Sequence, residues 1–443
     1  MIVDTATGRV RGRIFGDITA FLGIPYATAE RFARPRPAPA WQGVLDATAP
    51  GPAAPQTPSR LERVMGPMAP LEQAEDCLSL NVWAPRGATE LPVLVFLHGG
   101  GYSSGSGGLP WYGGAHLAEH GDIVVVTVNY RLGALGFLCL PGVSEGNLGL
   151  RDKVEALRWV RENIAAFGGD PGAVTVAGQS GGAFSTLCLL SGNAADGLFT
   201  RAILQSAPLG MAPRTPERAA EIGALLLEEL GSRDPREAPV ADLLAAQTRV
   251  ALRAGRPLDP EPPFHLVADG ELVAADPVTT VAQNGTKGVS LVIGTTRDET
   301  EAFYALDDRV AALGPERLAA LAQERFGDPA RAEGRTASEL VTEHMFDEPT
   351  RRLTGALADP VWVYRFDWHP EGSPYGACHC LELPFLLGDP QAWKDAPMLA
   401  GQPPPEALVA EVRTAWTDFV RHGDPGWAPY PVIHHFTFSG EEV

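Results

Sequence analysis

The chain has 443 residues, of which 45% are hydrophobic, and a formal net charge of −19 at pH 7. That length can bury a large core, while the acidic balance speaks against nucleic acid, which needs a basic stripe, and against an anionic membrane surface. No apolar run approaches the ~20 residues that span a bilayer, and five cysteines are too few, and odd in number, for a disulfide framework.

The opening MIVDTATGRVRGRI reads as a short hairpin with Gly8 at the turn. It carries neither the charged nor the apolar stretch of a secretory leader, so the expected location is the cytoplasm. LPVLVFLHGG (from Leu91) and DIVVVTVNYRL (from Asp122) are continuous apolar runs rich in β-branched residues, as strands buried on both faces require. DKVEALRWVRENIAAF follows, with Val154, Leu157, Val160, Ile164 and Phe167 at helical spacing. AVTVAG then predicts a strand, GGAFSTLCLLSG a helix and TRAILQSAP a strand; VSLVIGTTRDE and VWVYRFDWHP are later strand-plus-loop units. This alternation predicts an α/β fold with a large, mostly parallel sheet and helices on both faces. Residues 212–256 and 301–357 are charge-rich and helical by pattern, and read as excursions beside the sheet of a single domain spanning 1–443.

Two stretches fit G-x-S-x-G: Gly101 to Gly105, around Ser103, and Gly178 to Gly182, around Ser180. With 49 glycines one accidental match is unsurprising, and context separates them. Ser103 is followed by SGSGGLPWYGG, which cannot be a helix. Ser180 is preceded by a strand and followed by a helix, so its hydroxyl is expected at the carboxyl end of a strand and at a helix N-terminus. A serine that attacks a carbonyl needs an exposed oxygen there, beside N–H groups that receive developing negative charge.

FLHGGGY ends a buried strand, and its three glycines offer bare backbone N–H groups suited to an oxyanion or an anion. No Gly-Lys-Ser/Thr follows, which removes the phosphate-loop reading. A serine also needs a base and an acid to orient it. After SLVIG stand Asp298 and Glu299; after VWVYRFDW stand His369 and His379. The pattern leaves both choices open. His116, His344, His422, His434 and His435 read as surface or capping residues. In CHC (Cys378 to Cys380) an extended chain sends the two thiols to one side and the imidazole to the other, with no second ligand pair nearby, so no metal site is expected.

Together these residues resemble the type-B carboxylesterases, the branch of the α/β-hydrolases that includes the cholinesterases. FLGIPYA, EDCLSLNVWAP, HGGGY, VNYRLGALGFL, GNLGLRD, the run from Ala156 to Gly182, GTTRDE, CHCLELPFLLG and AWTDFVRHGDP stand in the family's order. The resemblance is most specific over 75–190 and looser over 212–357. It implies Ser180 as nucleophile, Glu299 as acid and His379 as base, with the amides of Gly100, Gly101 and Gly181 as oxyanion hole. Cys77 matches a position that is disulfide-bonded in secreted relatives, but no cysteine precedes it here.

The implied activity is hydrolysis of a small-molecule carboxylic ester through an acyl-enzyme, without metal or organic cofactor. Tyr102, Trp111 and Tyr112 are candidates for lining the pocket, and ordinary core packing is the alternative for each. The chain departs from the family in Gln179 and Gly181, where glutamate and alanine are usual, and the wall from 301 to 357 is expected to be reduced. A partner-binding scaffold without catalysis, or the same triad acting on an amide, carbamate, lactone or thioester, are the alternatives.

Overall fold

The computed structural model describes residues 1–256, 258–259 and 261–438. Its central sheet has ten strands, in chain order β1 (Arg13–Phe15), β2 (Ile18–Pro25), β3 (Ser79–Pro85), β4 (Leu91–Leu97), β5 (Val124–Val128), β6 (Gly169–Gln179), β7 (Arg201–Gln205), β8 (Ser290–Thr296), β9 (Val361–Phe366) and β10 (Ile433–Phe436). Their spatial order is β10-β9-β8-β7-β6-β4-β5-β3-β2-β1. From β10 to β5 every neighbouring pair is parallel. The remaining pairs, at the β3-β2-β1 end, are antiparallel. The mostly parallel sheet is therefore present, with an antiparallel end that periodicity did not reveal. The expected hairpin pairs Ile2–Thr5 with Gly8–Arg11 beside this sheet.

Burial on both faces explains why the central strands lack polar alternation. Along β4, Val93, Val95 and Leu97 point into one core and Leu94 and Phe96 into the other, all at most 1% exposed. Each such side chain contributes about 1.5–3 kcal/mol. One face carries α2 (Leu148–Asn163) and α3 (Gly181–Ser191); the other carries α1 (Ala115–Gly121) and α7 (Glu406–His422). In α2 the apolar positions expected from the spacing are buried. Asp152 is buried among them because it accepts three bonds from Arg131: the backbone N–H at 3.0 Å, Nε at 2.9 Å and Nη2 at 2.7 Å. That bidentate pair fixes the loop after β5.

Both of the charge-rich stretches contain helices. Residues 212–256 hold α4 (Pro216–Glu229) and α5 (Val240–Ala254). Residues 301–357 hold short helices around α6 (Pro315–Phe326), and a π-helical stretch, Glu343–Asp347, runs into a helix at Glu348–Ala356. Among the described residues no helix is long and apolar enough to cross a membrane.

Candidate active site

β6 runs directly into α3 through a turn in which Ser180 takes φ 55°, ψ −121°. A non-glycine residue there is strained by about 1–3 kcal/mol, and the surroundings hold it: Ser180 N–H donates to Gln205 O and the Ser180 carbonyl accepts from Phe184 N, both at 2.9 Å. The flanking glycines are sterically required. A Cβ at Gly178 would stand 2.4 Å from the Gly182 carbonyl carbon, and one at Gly182 would stand 2.0 Å from Leu97 O. Gly181 differs, since nothing comes nearer to a Cβ there than the Tyr102 ring at 3.4 Å.

Ser103 sits in a different environment. It belongs to a turn of the glycine loop, with both its N–H and its hydroxyl directed to Gly100 O at 3.1 and 3.2 Å. Within that loop Gly100 and Gly101 have φ of 102° and 57°. A Cβ at Gly100 would fall 2.0 Å from Ser104 O. Among the described residues the N–H groups of Gly100, Gly101 and Gly181 have no hydrogen-bond acceptor, and all three residues line one pocket with Ser180 and His379. His98 braces the loop: its Nδ1 lies 2.8 Å from Gly99 O and its ring stacks on Tyr130 at 4.3 Å. Burial pushes this imidazole down to about 3, so it is neutral at physiological pH.

The choices that pattern left open separate on contacts. Glu299, after β8, is fully buried; its Oε1 accepts from Thr296 N at 2.9 Å and its Oε2 from His379 Nδ1 at 2.5 Å. Asp298 instead anchors the histidine loop. It accepts from Ala377 N at 2.8 Å, donates its own N–H to Ala377 O at 2.9 Å, and pairs with Arg297 at 2.8 Å. His369 does not line the pocket; its Nδ1 lies 3.2 Å from Pro370 O.

His379 Nε2 does not bond Ser180. With Nδ1–H donated to Glu299, Nε2 carries the lone pair, and the Gln179 side-chain amide nitrogen faces it at 3.2 Å. The same amide nitrogen lies 3.3 Å from Cys380 Sγ. Burial pushes the Cys378 and Cys380 thiols well up, which keeps them as thiols. Glu382, three residues after the histidine, is also buried; burial and the Glu299 charge push its carboxyl up to about 7.

Of the aromatic candidates Tyr102 lines the pocket, and Trp111 and Tyr112 do not. Pro110 starts a short 3-10 turn that carries both away into the core. There Trp111 stacks on Trp393 at 5.6 Å and donates to Ala392 O, and Tyr112 packs 5.7 Å from Phe96. Aromatic walls come instead from residues that sequence reasoning missed. Phe303 and Phe346 flank the His379 ring at 5.8 and 5.5 Å, and Met345 joins them. The 301–357 segment thus supplies a wall. Met345 and Phe346 sit on the π-helical stretch, a distortion common at functional sites, but nothing in the primary pattern marks it.

Residues 1–436 match the model of the carboxylesterase family. The chain is 45% identical to a probable N-octanoylanthranilate hydrolase, AqdA2, of Rhodococcus erythropolis, over 96% of this chain and 94% of that one. It is 37% identical to the para-nitrobenzyl esterase of Bacillus subtilis (strain 168), over 98% and 93%. A solved thermophilic PNB esterase superposes with a TM-score of 0.88 at 35% identity, covering 99% of this chain and 96% of that one.

Proposed function

The chain belongs to the carboxylesterase family, has the α/β-hydrolase fold and is a carboxylic ester hydrolase; from that premise we propose that it works through an acyl-enzyme on Ser180, with His379 as base and Glu299 as orienting acid. The observation that carries this reading is the 2.5 Å contact of Glu299 Oε2 with His379 Nδ1 at a pocket shared by the strained Ser180 elbow and three acceptor-free glycine amides.

In this mechanism the substrate carbonyl oxygen enters the amides of Gly100, Gly101 and Gly181. The Ser180 hydroxyl displaces the Gln179 amide from His379 Nε2 and passes its proton there as its oxygen attacks. Glu299 keeps the ring in the required tautomer and stabilises the imidazolium. The amides receive the oxyanion, an effect typically worth about 3 kcal/mol per donor. His379 then protonates the leaving alcohol, and water repeats the cycle to free the acid. All five cysteines are unpaired, which supports a reducing compartment such as the cytoplasm.

A short p-nitrophenyl ester tests the assignment. Wild type is expected to release p-nitrophenol, Ser180→Ala to lose about 10⁴-fold or more in kcat, and an organophosphate to transfer its phosphoryl group to the peptide containing Ser180 with loss of its leaving group, a mass gain absent from Ser180→Ala. Equal rates for the two proteins would refute it. A second reading, the same triad cleaving an N-acyl bond, is favoured by the relative named for N-octanoylanthranilate. Hydrolysis of a matched anilide alongside the ester decides between them.

A further inference from the structure

The space accessible at the reacting pocket is small, about 50 Å³, too little for more than a compact group. It adjoins a much larger chamber of about 960 Å³. The two share Arg60, Ser103, Glu261 and Pro262, so a substrate seated on Ser180 and too large for the reacting pocket would have the chamber beside Arg60 next to it.

The chamber's charge runs against that of the protein. The chain has 35 lysines and arginines against 54 aspartates and glutamates. Among the described residues the chamber wall carries five arginines, Arg60, Arg214, Arg218, Arg256 and Arg325, against Asp259 and Glu261. Burial and the neighbouring Asp259 push the Glu261 carboxyl above its usual range.

Of these arginines, Arg214, Arg256 and Arg325 are only partly spoken for. Among the described residues Arg256 and Arg325 have no side-chain hydrogen bond or ion pair, and Arg325 Nε is buried without a partner. Arg214 Nη2 donates to Pro262 O at 3.0 Å but stands 3.8 Å from Glu261, and its Nε is also buried and unpartnered. Arg218 pairs outward with Glu221 at 2.7 Å. Arg60 reaches in towards the chemistry: a Cβ at Gly101 would lie 3.4 Å from its Nη2, and its guanidinium stands 5.9 Å from the Phe303 ring.

Guanidinium groups left under-neutralised beside an active site, as those of Arg214, Arg256 and Arg325 are, attract and orient an anion. We infer that this enzyme's substrate carries a carboxylate on the part that projects from the reacting pocket, and that the arginine chamber, with Arg60 and Arg325 on its walls, recognises it. This rests on the triad reading above and adds the substrate class.

Two matched pairs of esters test it. In one the charge lies on the alcohol half: p-carboxyphenyl hexanoate against p-carbamoylphenyl hexanoate. In the other it lies on the acyl half: p-nitrophenyl hydrogen adipate against p-nitrophenyl adipamate. Each kcat/KM is taken relative to the ester's hydroxide-catalysed rate. In at least one pair the anion is expected to be favoured about tenfold at low ionic strength, with the advantage shrinking as salt is added. The anion-to-neutral ratio is expected to fall about fivefold in Arg325→Gln and in Arg256→Gln, and to persist in Arg11→Gln on the distant N-terminal hairpin. The ratio is internal to each protein, so a variant that is partly unfolded still reports it.

No anion preference in either pair, or a ratio indifferent to Arg325 and Arg256, overturns the inference. If wild type cleaves none of the four esters, the reaction reading fails instead. Calorimetric titration of Ser180→Ala with the same compounds then decides the anion site: tighter binding of the charged member supports it, and equal binding overturns it.

Discussion

The side-chain amide nitrogen of Gln179 lies 3.2 Å from His379 Nε2, the atom that has to receive the Ser180 proton. The residue before the nucleophile therefore occupies the base's lone pair in the resting site. A neutral donor there favours the unprotonated ring. An anion at the same place would favour the protonated one. Gln179→Glu is accordingly expected to move the acidic limb of the kcat/KM profile up by about 1 pH unit, with the plateau rate changed less than the limb. An unmoved limb would show that the 3.2 Å contact does not influence the base.

Glu299→Gln tests the acid separately from the nucleophile. The amide oxygen can still accept from Thr296 N, so the fold is expected to hold, with a melting temperature close to that of wild type. The bond to Nδ1 is different: an amide NH2 facing the ring favours the wrong tautomer, and no full charge remains to hold the imidazolium. A loss of about 10³–10⁴-fold in kcat is expected. Asp298→Asn is the control. It removes the ion pair with Arg297 and loosens the loop that carries Ala377, so it is expected to act more on stability than on the chemical step.

The two glycines after the nucleophile should behave oppositely to alanine. At Gly182 the added Cβ meets backbone, Leu97 O at 2.0 Å and His98 O at 2.7 Å, and neither can yield without displacing the strand end and the glycine loop. Gly182→Ala is expected to cost at least about 2 kcal/mol and most of the activity. At Gly181 the same group makes an ordinary 3.4 Å contact with the Tyr102 ring, at a helical position. Gly181→Ala is expected to stabilise by up to about 1 kcal/mol through the unfolded chain, and to keep its ester hydrolysis within a few-fold. Thermal melts and p-nitrophenyl ester rates check both.

What could be read from the sequence, and what could not, follows from how tightly each feature constrains residue type. The elbow was legible because only glycine fits at 178 and 182. The central strands were legible because burial on both faces excludes polar residues from β4 and β5. Asp298 and Glu299 were not separable by pattern, because both carboxylates are useful in the same loop; the resemblance singled out Glu299, and it is Glu299 that the fold brings to the imidazole.

The pocket wall was illegible for another reason. Helical spacing announces that 301–357 is helical without saying which side faces Ser180, so Phe303 and Phe346 went unnoticed. Trp111 and Tyr112 drew attention by following the glycines, yet the turn at Pro110 sends them into the core. Helix α7 was missed as a helix, although its buried Leu408, Val412, Ala415, Trp416 and Phe419 follow the same three- and four-residue spacing used elsewhere.

The buried carboxyl of Glu382 makes a prediction about stability rather than rate. Its folded value is pushed up to about 7 by burial and by Glu299, against 4.5 for an ordinary glutamate. Below about 4.5 the carboxyl is protonated in both states and does not affect the balance. As pH rises from there to about 7, the unfolded chain gives up its proton while the folded one retains it, so the folded state loses stability across that window and no further above it. Glu382→Gln cannot ionise, and its amide oxygen keeps the bond from Gln205 Nε2, 3.4 Å from the present Oε1. The variant is therefore expected to melt close to wild type below pH 4.5, to gain steadily up to pH 7, and to hold a constant advantage above it, all measured by thermal unfolding at fixed ionic strength. An advantage that did not change with pH would mean that Glu382 ionises as readily inside the protein as outside. Two full negative charges would then stand beside His379 instead of one, and the acidic limb examined through Gln179→Glu would have to be attributed to both carboxylates.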